Sequence, residues 1–88
     1  MINLKIKSKE HFELFVFGSA LYSEHPSDID LAIIYDEGFI NPQQAIQYRS
    51  EILSNLETVN ALKIDTILLS KREEKEAEFL SNAKFLRI

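Results

Sequence analysis

The strongest constraint on the fold is an eight-residue stretch, Asp28–Tyr35, whose two sides differ in polarity. Successive side chains of a β-strand point to opposite faces of the sheet. One side of this stretch is formed by Ile29, Leu31, Ile33 and Tyr35, while the other begins with Asp28 and Asp30 and continues with two apolar residues. The pattern predicts a buried strand that carries carboxylates only at its start.

Two more strands are predicted on either side of this segment. Residues 14–17 form a short apolar and aromatic run that stops at Gly18, as expected for a buried strand that enters a tight turn. Residues 62–69 are also mostly apolar and predict a third strand. The first dozen residues leave two interpretations open: Ile2, Leu4 and Ile6 alternate like a strand, whereas residues 8–12 are compatible with one helical turn.

Two helices are predicted from their capping residues. Asn41 and Gln44 form a capping box around Pro42 at the first helical position, and Ser70 with Glu73 forms another box. An apolar stripe on the first helix is predicted from Ala45, Ile46, Tyr48, Ile52, Leu53, Leu56 and Val59. The inner face of the second helix is predicted from Ala77, Leu80 and Lys84.

The resulting order of elements predicts an α/β fold, with helices packed on one face of a sheet and the other face open. The 88 residues fit a single small domain spanning 1–88. The net charge of -4 argues against strong, sequence-independent binding to nucleic acid. Since cysteine and long apolar stretches are absent from the sequence, we expect no disulfide and no membrane span, and a cytoplasmic location.

The acidic side chains suggest a metal site. Residues i and i+2 of a strand lie on one face roughly 7 Å apart, so Asp28 and Asp30 converge. Such carboxylates suit a pair of Mg²⁺ ions, and Asp65 completes the set if the third strand points it to the same place. Gly18 allows close approach of the backbone, and Ser19 offers a hydroxyl and N–H groups to phosphates.

These residues resemble a known family. Phe17-Gly18-Ser19, followed after a loop by Ser27-Asp28-Ile29-Asp30-Leu31 and later by Asp65, is similar to the signature of polymerase-beta-like nucleotidyltransferases. The resemblance implies a mixed β-sheet, a nucleoside triphosphate donor such as ATP, and two Mg²⁺ ions. It also implies catalytic and metal-binding roles for Asp28, Asp30 and Asp65, nucleotide binding by Gly18 and Ser19, and transfer of a nucleotide to a hydroxyl acceptor.

The small size resembles minimal nucleotidyltransferases that pair with HEPN-domain toxins and act as antitoxins. This resemblance implies a protein partner that accepts AMP, in a homo- or hetero-oligomer. Many small members carry arginines just after the Gly-Ser pair, where this sequence has Ala20, Leu21 and Tyr22. The alternative is therefore a weakly active or inactive module that neutralises a partner by binding it.

Other interpretations of single residues stay open. Asp28 and Asp30 could mark a solvated strand start, and Asp65 could be an exposed aspartate without a role. His25 and Tyr22 lie in the loop before the aspartates, where a surface or packing role is commoner than ligand contact. The charged run that begins with Lys71 and Arg72 is typical of a solvated helix face, with contact to a phosphate as the alternative.

Overall fold

The computed structural model describes residues 8–18, 28–60, 63–78 and 85–87. Four strands form one sheet in the order β3-β2-β1-β4. Along the chain, the elements are β1 (Phe12–Phe17), β2 (Asp28–Tyr35), α1 (Pro42–Asn60), β3 (Lys63–Ser70), α2 (Lys71–Ala77) and β4 (Phe85–Arg87). None of the helices in the described ranges is both long and apolar enough to span a membrane.

The sheet is mixed. β1 runs antiparallel to both β2 and β4, whereas β2 and β3 are parallel and are connected through α1. A parallel pair needs such a crossover because its two strands start at the same edge of the sheet. The predicted α/β fold with a mixed sheet is confirmed, and β2 has the predicted bounds.

The main core lies between the sheet and α1. Ile29, Leu31 and Ile33 of β2 are completely or almost completely buried there, as the alternation of the sequence predicts. Among the described side chains of α1, those of Ala45, Tyr48 and Ile52 are buried. The side chains of Leu56 and Val59, which were also predicted on the stripe, lie outside the described residues. Ile46, which was predicted to widen the apolar stripe, is instead 47% exposed, so that part of the prediction is wrong.

The second face of the sheet is not entirely open. Phe15, Ala32 and Ile34 are buried on it, and Phe17 and Leu69 pack against them. The expectation of an open second face is therefore wrong for the middle of the sheet and for the end at which β2 finishes. This cluster restricts polar chemistry on the second face to the end at which β2 begins.

Both predicted capping boxes are present. The N–H of Gln44 donates to Asn41 Oδ1 at 2.8 Å, and the N–H of Asn41 donates to Gln44 Oε1 at 2.9 Å. At α2, the N–H of Glu73 donates to Ser70 Oγ at 3.0 Å, and the N–H of Ser70 donates to Glu73 Oε1 at 2.9 Å. Each box satisfies two backbone donors that the first turn of a helix leaves unpaired.

The second helix is shorter than predicted. It ends at Ala77, because Glu78 adopts a left-handed backbone conformation with φ 51° and its N–H donates to the carbonyl oxygen of Glu74. Ala77 is exposed, so its assignment to an inner face is wrong. The predicted inner residues Leu80 and Lys84 lie outside the described residues, and the short strand β4 follows, which the sequence did not predict.

The residues before β1 form a turn instead of a helical turn. The N–H of Phe12 donates to the carbonyl oxygen of Lys9 at 3.0 Å, and His11 adopts a positive φ of 70°. The imidazole of His11 stacks on the ring of Phe39 with centroids 4.0 Å apart. β1 therefore begins at Phe12, two residues before the predicted start, while the alternating Ile2, Leu4 and Ile6 lie outside the described residues.

We predict that Asn41→Ala lowers the free energy of unfolding by about 1 kcal/mol, since the substitution removes the acceptor that caps α1. Urea denaturation followed by circular dichroism measures this loss. Gln43→Ala is the matched control, because Gln43 is exposed in the same helical turn and alanine favours helix. Equal stability of the two variants would contradict the capping role.

Candidate active site

The parallel register of β2 and β3 aligns two of the predicted site residues. Asp30 of β2 is the Cα partner of Asp65 of β3. Partners in a parallel pair project to the same face, and the surrounding residues agree: Ile64, next to Asp65, is buried in the core on the α1 side. Asp30 and Asp65 therefore share the second face of the sheet, on neighbouring strands that lie roughly 4.8 Å apart.

The third predicted carboxylate, that of Asp28, belongs to the first residue of β2. Asp28 is two residues before Asp30 and is the Cα partner of Lys63. That Asp28 shares the face of Asp30 stays a prediction from strand alternation. Its side chain and the whole of Ser19 lie outside the described residues, as do His25 and Tyr22.

Accessibility decreases along the second face from the start of β2 and β3. The side chain of Asp65 is exposed and that of Asp30 is half-buried, whereas Ala32, two residues further along β2, is completely buried. Carboxylates placed at this end can keep their hydration or bind an ion, which avoids the large cost of burying an uncompensated charge. Asp30 and Asp65, the acidic pair, can thus be reached by a ligand from solvent.

Gly18 lies directly against the carboxylate of Asp30. Phe17, the last residue of β1, is the Cα partner of Asp30, and Gly18 follows it with a positive φ of 77°. A Cβ atom at position 18 would overlap Asp30 Oδ2 and would lie 3.3 Å from the carboxyl carbon. Glycine is required here for two reasons, since the backbone conformation and the close approach both exclude a side chain.

The cations of α2 lie at the other end of the sheet. Lys71 Nζ is 3.6 Å from Asp36 Oδ2 and 3.9 Å from Glu13 Oε1, and Arg72 pairs with Glu76. Asp36 follows the end of β2, so it is roughly 20 Å along the strand direction from Asp30. The alternative in which Lys71 or Arg72 contacts a phosphate at the acidic pair is therefore wrong.

The donor atoms fit a divalent cation. Two carboxylates on neighbouring strands supply the hard oxygen ligands that Mg²⁺ prefers, and one of them lies against the backbone of Gly18. The described side chains do not contain a group of three acidic, histidine or cysteine residues able to hold a metal. Because the side chain of Asp28 is not among them, the three-carboxylate set stays a prediction.

Comparison with known proteins identifies the family. The profile of the family described as "Polymerase beta, Nucleotidyltransferase" matches residues 2–86, which is nearly the whole chain. The chain belongs to the polymerase beta nucleotidyltransferase family. A crystal structure of a candidate nucleotidyltransferase has a similar fold, with a TM-score of 0.53 and 24% identity over 88% of this chain and 81% of that one. Among curated proteins, none matches the sequence significantly.

Two basic residues on the same face as the acidic pair were not recognised from the sequence. Lys63 lies two residues before Asp65 on the same side of β3, and Arg87 of β4 is the Cα partner of Phe15 on the second face. Strand alternation could have assigned Lys63 to the face of Asp65. Arg87 could not have been found, since nothing in the sequence predicted β4 or its pairing with β1.

We predict that Gly18→Ala lowers the free energy of unfolding by about 2 kcal/mol or more, because alanine is strained at positive φ and its methyl group overlaps the carboxylate of Asp30. Gly38→Ala is the control. Its Cβ would lie 3.2 Å from Asp36 Oδ1 at a φ that is not positive, so its stability should stay within about 1 kcal/mol of wild type. Thermal and urea unfolding measure the stability of both variants. Equal losses of stability would contradict the requirement for glycine at position 18.

Proposed function

We propose that this polymerase beta nucleotidyltransferase transfers a nucleoside monophosphate, preferentially AMP from ATP, to a hydroxyl acceptor in the cytoplasm. The observation that supports it most is the register that pairs Asp30 with Asp65 on one accessible face, directly beside Gly18. Membership of the family supports the reaction class. In the reaction, the acceptor oxygen forms a bond to the α-phosphorus while the bond to the β-phosphate oxygen breaks and pyrophosphate leaves.

The positions of Asp30 and Asp65 support the proposed roles of the acidic residues. Asp28 and Asp30 on β2 and Asp65 on β3 are the proposed ligands of two Mg²⁺ ions. When bound, such ions neutralise the charge that develops on the phosphate oxygens. Asp65 is also the proposed base that takes the proton of the acceptor hydroxyl, because its exposed side chain is accessible to an incoming acceptor.

Gly18 and Ser19 are the proposed binding site for the β- and γ-phosphates. The backbone at Gly18 is close to the carboxylate of Asp30, and this close approach excludes a side chain. Backbone N–H groups of Gly18 and Ser19 and the hydroxyl of Ser19 are suitable donors to phosphate oxygens. This arrangement holds the triphosphate beside the carboxylates.

The proposed acceptor is a hydroxyl group on a protein partner of the HEPN toxin type, in keeping with an antitoxin role. The accessible position of the acidic pair supports an acceptor on a large molecule. The net charge of -4 favours a basic protein surface over a phosphate backbone as the partner. Binding to the partner would give a hetero-oligomer in which the partner forms part of the site.

We predict that Asp30→Asn combined with Asp65→Asn lowers nucleotide transfer at least about 1000-fold, since both changes remove charge from the metal ligands. The assay incubates the chain with α-labelled ATP, Mg²⁺ and the protein encoded by the adjacent gene, and follows label on protein. Circular dichroism checks that the variant is folded. The control is Glu37→Gln, an exposed carboxylate beyond the other end of β2, which should retain wild-type transfer.

The same variants separate catalysis from simple binding. If the double variant still neutralises the partner in cells and no label is transferred by the wild-type chain, the protein is a binding module and the proposed reaction is wrong. If neutralisation and labelling are lost together while Glu37→Gln retains both, the enzymatic proposal is supported.

A further inference from the structure

The proposed nucleotide site has a shortage of positive charge. A nucleoside triphosphate carries several negative charges, and the residues after Gly18 and Ser19 are Ala20, Leu21 and Tyr22, none of which is a cation. Phosphates are usually held by arginine or lysine side chains in addition to backbone donors. A basic residue from another element would add the cation that this segment does not supply.

Lys63 occupies a suitable position. It is the first residue of β3, the Cα partner of Asp28, and lies roughly 7 Å from Asp65 on the same face. Its side chain is exposed, and its ammonium group forms no ion pair with another described side chain. The flexible four-carbon stem of lysine lets this charge move toward a ligand beside the carboxylates.

Two other described cations, Lys71 and Arg87, are less suitable. Lys71 is paired with Glu13 and Asp36 at the opposite end of the sheet. Arg87 shares the second face, but β4 is separated from β2 by β1, so its backbone is roughly 10 Å away across the sheet. Lys63 lies on the strand that directly adjoins β2.

We propose that Lys63 binds a phosphate group of the nucleotide and replaces the cation that the segment after Gly18 lacks. This inference rests on the proposed function. It assigns a donor-binding role to the start of β3, so that one strand supplies both the phosphate-binding cation and, two residues later, the carboxylate Asp65. The ammonium group acts as a point charge that donates hydrogen bonds to phosphate oxygens.

The test measures binding without transfer. The α,β-methylene analogue of ATP cannot be cleaved between its α- and β-phosphates, and isothermal titration calorimetry with excess Mg²⁺ gives its Kd. Lys63→Gln should weaken binding about tenfold or more, as expected for loss of a charge-assisted hydrogen bond. Lys63→Arg, which keeps the charge, should remain close to wild type, as should the control Lys75→Gln, an exposed lysine of α2.

A titration with Mg²⁺ alone distinguishes a phosphate ligand from a simple counter-ion of the aspartates. If Lys63→Gln only tightens binding of Mg²⁺ and leaves the Kd of the analogue unchanged, Lys63 is a counter-ion and the inference is overturned. Equal effects of Lys63→Gln and Lys75→Gln would also overturn it, because long-range charge would then explain both.

A third variant separates failure of this inference from failure of the proposed function. If Asp65→Asn abolishes Mg²⁺-dependent binding while Lys63→Gln binds normally, the nucleotide site stands and only the role of Lys63 is rejected. If the wild-type chain does not bind the analogue with Mg²⁺, the proposed function and the inference are both rejected.

Discussion

The parallel pairing of β2 with β3 is the interaction on which the site depends. It aligns Asp30 with Asp65, and a slip of one residue would turn Asp65 to the opposite face. Apolar residues prevent that slip, because Ile64 is buried against α1 and Leu69 packs with the cluster on the second face. The hydrophobic core therefore determines the position of the carboxylates, although it contributes no group to their chemistry.

Features that depend on local chemistry could be predicted from the sequence. The alternation in β2 and the capping residues Asn41 and Ser70 are readable because periodicity and helix caps are set by residues close in the chain. Predicting that Asp30 and Asp65 share a face also requires the register between β2 and β3, two strands that α1 separates in the sequence. The family motif predicted that these carboxylates lie together, but only the pairing of the two strands aligns Asp30 with Asp65.

Features without a recognisable signal in the sequence could not be predicted. The left-handed conformation of Glu78 ends α2 early without a glycine, and β4 is too short to show a periodic pattern. Ile46 lies within one turn of buried Ala45 and Tyr48 yet faces solvent, since the packing of α1 on the sheet leaves it outside the contact. Short apolar segments and stripe edges are assigned by the tertiary fold instead of by propensity.

The contact between Gly18 and the carboxylate of Asp30 constrains how this family can diverge. A larger residue at position 18 needs both a different backbone conformation and a displaced acidic group, so position 18 cannot change without cost while aspartate stays at position 30. Relatives that keep aspartate at position 30 should therefore keep glycine at position 18. A relative with a larger residue at position 18 should have lost the acidic centre and retained only the scaffold.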